Sequence, residues 1–195
     1  MENLRKENES FSFTTENLKI VKLILSRYPS EQKASAVMPL LDLAMRQIGG
    51  WLTESAMKDV SKIINIPYIR VLEVATFYSM YNLRPIGKYF VQVCTTTSCW
   101  LRGSDEILSA CKKHLKIDNN QTTSDGAFTL KEVECLGACV NAPMVQINDD
   151  YYEDLSNEGI LNILDKLKKG LKVKVGSQNP LRFGSEPFLV NKKVN

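Results

Sequence analysis

The stretches VQVCTTTSCWLRG (residues 91–103) and VECLGACVNAPMVQI (residues 133–147) govern how the rest of the chain is read. The first holds Cys94 and Cys99, the second Cys135 and Cys139. Each pair follows an apolar alternation that ends at the cysteine: Val91 and Val93 before Cys94, and Val133 before Cys135. That alternation predicts a strand running into each pair. Small residues span the gaps, with Thr95, Thr96, Thr97 and Ser98 in one loop and Gly137 and Ala138 beside Leu136 in the other. Two short loops at strand ends can bring four thiolates together. Four sulfurs around a point are the ligand set of zinc or of an iron–sulfur cluster.

Spacing narrows this choice without closing it. Structural zinc sites favour two-residue gaps, although gaps of up to about four occur. Here the gaps are four residues and three. A wider gap suits a group with two metals, each needing its own pair of sulfurs. The plant-type ferredoxin run, with three cysteines close together, is absent. A two-iron cluster, a zinc ion and a redox disulfide therefore all remain open on spacing. A thioredoxin-like thiol enzyme would usually carry C-x-x-C, and neither pair has that spacing.

Working outward, the 195-residue chain has room for one ordinary domain or two small ones. With 44% hydrophobic residues it has the composition of a globular protein. No run reaches the roughly 18 apolar residues that cross a bilayer. The start, MENLRKENESF, has no apolar core of a secretory signal, and its several Glu are unlike a transit peptide. A net charge of +3, with scattered Lys and Arg, gives no basic patch for nucleic acid. Five cysteines, an odd count, argue for a reducing compartment and against a disulfide framework.

Residues 1–13 are polar and unpatterned, and are expected to form a flexible tail. Thr14 or Thr15 offers a cap for a first helix, with Leu18, Val21, Leu25 and Tyr28 on one face before Pro29 stops it. A second helix follows Ser30, with Val37, Leu40, Leu41, Leu43, Ala44 and Ile48 apolar, and ends at Gly49–Gly50. Thr53 caps a third helix that buries Met57, Val60, Ile63 and Ile64. A fourth, YIRVLEVATFYSMY, follows Pro67 and is nearly apolar all round, which predicts burial on more than one side. These four make a small helical bundle over 14–85, a packing unit and also a candidate docking surface.

The break NLRPIGK (82–88) marks a boundary. Residues 86–170 then alternate strand and helix: KYFVQVC, a helix capped by Ser104, FTLKEVEC, MVQIN, YYEDL and a last helix capped by Ser156 and ended by Gly170. Residues 171–195 are expected to be an extended tail. The fold class is thus α+β, a helical bundle followed by a small α/β domain that carries the cysteines.

Cys111 shares a helix face with Ile107, Leu108 and Leu115 and reads as a packed core thiol. His114, the one histidine, lies beside two lysines and reads as a solvated helix position. A single His removes schemes that need paired histidines. No G-x-G-x-x-G follows a strand and no Walker sequence occurs, so no nucleotide site is expected.

The two cysteine stretches, with AVMPLLDLAMRQIGGWL (36–52) and VLEVATFYSMYNLRPIGKY (71–89), resemble the E-type subunit family of NADH:quinone oxidoreductase, the respiratory complex I. The resemblance runs from about residue 14 to about residue 168. It implies a thioredoxin-like domain with one [2Fe–2S] cluster held by Cys94, Cys99, Cys135 and Cys139. Cys111 has no place in the pattern. It implies partners too: a flavin-containing NADH-binding subunit, which carries the FMN and the NADH site, and other peripheral-arm subunits. A location peripheral to the inner membrane follows, on the cytoplasmic face in a bacterium or the matrix side in a mitochondrion. Similar subunits serve in NAD-linked hydrogenases and formate dehydrogenases, and that alternative stays open with a zinc-binding interaction module.

Overall fold

A computed structural model describes residues 10–183. The chain divides between Ile86 and Gly87 into two compact units.

The first unit is helical. Helix α1 is Thr15–Ser26, a 3-10 segment covers Ser30–Ala36, α2 is Val37–Ile48, α3 is Glu54–Ile64 and α4 is Tyr68–Phe77. Thr14 and Thr53 cap α1 and α3, each hydroxyl accepting from the N–H three residues on. Gly49 ends α2 at φ 108, in the left-handed region where glycine has no Cβ penalty. Leu40, Leu41, Ala44, Met57, Val60, Ile64 and Val71 form one core.

Three expectations change here. Phe13 is buried in this core and Gln47 Nε2 donates to the Ser12 carbonyl at 2.9 Å, so order starts before Thr14. Residues 1–9 of the expected tail lie outside the described residues. Leu18 is exposed, and Ile24 takes the inward place next to Val21. The fourth helix stops at Phe77 and buries only Val71 and Ala75; Ile69 and Phe77 face outward at 56% and 79% exposure. Its uniform apolarity therefore does not report burial on several sides.

The second unit is built on a six-stranded sheet ordered β2-β3-β1-β4-β5-β6. Its elements are β1 Tyr89–Cys94, a short helix α5 Thr97–Leu101, α6 Ser104–Leu115, β2 Gln121–Thr122 and β3 Phe128–Val133. Then come β4 Val145–Ile147, β5 Asp150–Glu153, α7 Asn157–Lys168 and β6 Gly176–Ser177. Strand β1 is central. It runs parallel to β3 and antiparallel to β4. The register pairs Cys94 with Val133, so both cysteine loops leave the sheet at the same end. Val91, Val93, Phe128, Leu130 and Val145 pack with Ile107, Ile160 and Leu164 from α6 and α7. Cys111 sits fully buried among them, where burial pushes its thiol up to about 12.

Ser104 does not cap α6. Gly103, at φ 88, holds that position, and the Ser104 hydroxyl is buried with no hydrogen-bond partner. A buried hydroxyl without a partner carries its desolvation cost uncompensated. Ser104→Ala is therefore expected to leave urea stability unchanged or to raise it by up to about 1 kcal/mol. A loss of more than that would show that the hydroxyl has a partner after all.

The expected C-terminal tail is also corrected over its described part. Residues Gly176 and Ser177 pair in parallel with Tyr152 and Glu153, and Val173 and Val175 pack on the sheet core. Residues 184–195 lie outside the described residues.

Candidate metal centre

The four paired cysteines come together at one end of the sheet, and Cys111 stays apart in the core. Cys94 is the last residue of β1 and is 1% exposed. Cys99 lies on α5, which folds the first loop back so that this thiol is also 1% exposed. The linear pattern hid that helix, since a five-residue turn of Thr, Ser, Cys, Trp and Leu has no period to detect. Cys135 and Cys139 are exposed and stand with their sulfurs 3.5 Å apart. Gly137 between them has φ 86, a conformation that needs glycine and folds the second loop tightly.

The two pairs are linked. Cys94 and Cys99 are hydrogen-bonding neighbours, and Cys139 lies near enough to act on Cys99 electrostatically. The Thr96 hydroxyl lies 3.4 Å from Cys94 Sγ and also reaches Cys135. Thr95 turns away instead and donates to Glu132 at 2.8 Å. Tyr151 donates to the Leu136 carbonyl at 2.8 Å and braces the second loop from β5. The Ala142–Pro143 peptide is cis, an isomer that the sequence did not declare.

Electrostatics distinguish Cys99 from Cys135. Burial is the main cause that pushes the Cys99 thiol up to about 12, with the Cys94 sulfur adding to it. Cys135 is held below its usual range, chiefly by the Gly137 backbone N–H, then by Cys139 and Thr96. Among the described residues, no three His, Cys, Asp or Glu side chains surround one point as a single-ion site. The arrangement is two thiol pairs, one inward and one outward. Soft sulfur donors in pairs fit a group with two metals, each taking one pair. His114 is remote from them, on α6, with Nε2 2.9 Å from Asp165 of α7.

A sheet with helices packed on it and two thiol-bearing loops at one end is a thioredoxin-like architecture. The thioredoxin-like [2Fe–2S] ferredoxin family model matches residues 21–168, and the chain belongs to that family. It is 54% identical over 173 residues to the E-type subunit of the NADH-quinone oxidoreductase of Rickettsia prowazekii, covering 89% of this chain and 98% of that one. It is 52% identical to the mitochondrial NADH dehydrogenase [ubiquinone] flavoprotein 2 of Dictyostelium discoideum, over 93% of this chain and 73% of that one. A solved NAD+-reducing [NiFe]-hydrogenase has the same fold over 75% of this chain, with a TM-score of 0.60 and 20% identity. The chain spans 25% of that hydrogenase chain. Among the described residues no helix is long and apolar enough to cross a membrane.

Proposed function

We propose that the chain is the electron-transfer subunit of an NADH:quinone oxidoreductase, with Cys94, Cys99, Cys135 and Cys139 as the ligands of one [2Fe–2S] cluster. The observation that carries this reading is the placing of both thiol pairs at one sheet end, in a chain alike along most of its length to E-type subunits of such oxidoreductases. A bound cluster of this kind accepts and releases one electron at a time. The chain's own residues hold it: β1 and α5 present the inner pair, and the Gly137 turn presents the outer pair. Thr96 lies between the pairs and offers a hydroxyl to sulfur, the type of contact that tunes a cluster. A one-electron cluster cannot take NADH's hydride itself; flavin can, and it belongs to a partner NADH-binding subunit, so this chain completes no active site alone. The assembled arm would sit against the inner membrane, on the cytoplasmic or matrix face, without a span from this chain.

The experiment is anaerobic addition of NADH to the chain alone and to the chain mixed with its flavin subunit. Bleaching of the visible absorbance is expected only in the mixture. Bleaching of the isolated chain at a comparable rate would overturn the division of labour.

The midpoint potential is a second measure. Four thiolates and no histidine leave the site net negative, and adding charge in a low-dielectric place is costly. The midpoint is expected on the plant-type ferredoxin side, well below zero and below the Rieske range. A clearly positive value in a redox titration would overturn this expectation.

A further inference from the structure

The segment after β6 returns to the second cysteine loop. Arg182 Nη1 donates to Asp154 Oδ1 at 2.5 Å, and Nη2 donates to the Val140 carbonyl at 2.8 Å. Val140 directly follows Cys139 in the turn Cys139–Asn141. Asp154 is the anchor, its side chain 7% exposed. Its carboxylate also accepts from Ser177, and its N–H donates to the Asn141 carbonyl at 2.7 Å. Asn141 Nδ2 donates at 2.6 Å both to the buried Glu153 and to the Phe183 carbonyl. One planar guanidinium thus joins the end of β5 to the backbone beside Cys139, a two-point grip that a rigid fork makes at low entropic cost.

We propose that residues 176–183 form a clamp on the loop that carries Cys135 and Cys139, with Arg182 as its positioning residue. Tyr151 braces the loop at Leu136, and the clamp adds the hold at its Cys139 end. Val140 is 83% exposed, both cysteines are exposed, and the chain from Glu134 to Ala138 has no strand or helix of its own. Through the clamp, the backbone next to Cys139 keeps one conformation, so the outer pair meets the cluster without reordering. The proposal rests on the reading above that these thiols are ligands.

The test uses the full-length, cluster-loaded chain and three variants. Arg182→Met removes both grips. Arg182→Lys keeps a charge and donors within reach of Asp154. Asp154→Asn with Arg182→Met removes both charges together, which avoids a buried lone carboxylate if the single variant folds poorly. Amide exchange over residues 136–142 is expected to quicken about tenfold in Arg182→Met and in the double variant, with β1 and α6 unchanged. Loss of iron to a chelator should quicken by a similar factor, and Arg182→Lys should recover most of both effects. Unchanged exchange in that loop overturns the clamp. An equal rise across the whole sheet overturns it too, since Arg182 would then be serving only the fold. Iron content of the four cysteine variants judges the ligand reading separately.

Discussion

Single replacement of Cys94, Cys99, Cys135 or Cys139 by Ala is expected to abolish the bound cluster or reduce it to a small fraction, as read by iron, acid-labile sulfide and visible absorbance. Each thiol would supply half the protein donors of one metal, and among the described residues neither the histidine nor the fifth cysteine is placed to substitute. His114 is engaged with Asp165 on another face, and Cys111 is locked in the core with zero exposure. Cys111→Ala is the internal control. It should keep the red-brown colour and cost only about 1 kcal/mol of stability, the usual scale for a small core truncation. Loss of the cluster from Cys111→Ala alone would show that the ligand set is wrong. A colourless wild-type protein containing zinc would show that the metal is.

The second large effect is expected from Phe128→Ala. Phe128 opens β3, is 1% exposed, and stacks on Tyr89 with ring centroids 5.3 Å apart. Truncating such a ring typically costs about 3–5 kcal/mol through lost burial and the cavity left behind. The β1–β3 ladder also carries both cysteine loops, since Cys94 is paired with Val133. Urea unfolding and cluster absorbance should therefore fail together, at a lower denaturant concentration than in wild type. Val140→Ala, although next to Cys139, changes a side chain that faces solvent and should stay within about 0.5 kcal/mol. A loss below about 1 kcal/mol for Phe128→Ala would mean that β3 does not tie the loops to the core.

Much of this was legible in the chain. Thr14, Thr53 and Ser156 cap their helices as their residue types suggest, because a hydroxyl before a periodic run has one obvious use. The alternation before Cys94 and Cys135 correctly marked β1 and β3. Ser104 misled for a physical reason: Gly103 can enter the left-handed region and start the helix one residue earlier. The fourth helix misled because periodicity is silent when nearly every position is apolar. Strands β2 and β6 have two residues each, too short for any alternation to register. Arg182 and Asp154 were invisible for another reason: they lie 28 residues apart, and only the folded sheet end makes them neighbours.

Those two shortest strands are also the outermost ones. A sheet border normally displays a row of free N–H and C=O groups on which a foreign strand can seat itself. Here each outermost strand is only two residues long, so β3 runs past β2 at Lys131–Val133 and β5 runs past β6 at Asp150 and Tyr151. The Glu132 N–H in the β3 stretch is taken by Asn119 Oδ1 at 2.8 Å, which leaves newly made copies less backbone by which to stack into aggregates. A neighbouring protein that adds a strand to this unit has only those short uncovered stretches, among the described residues, on which to do so.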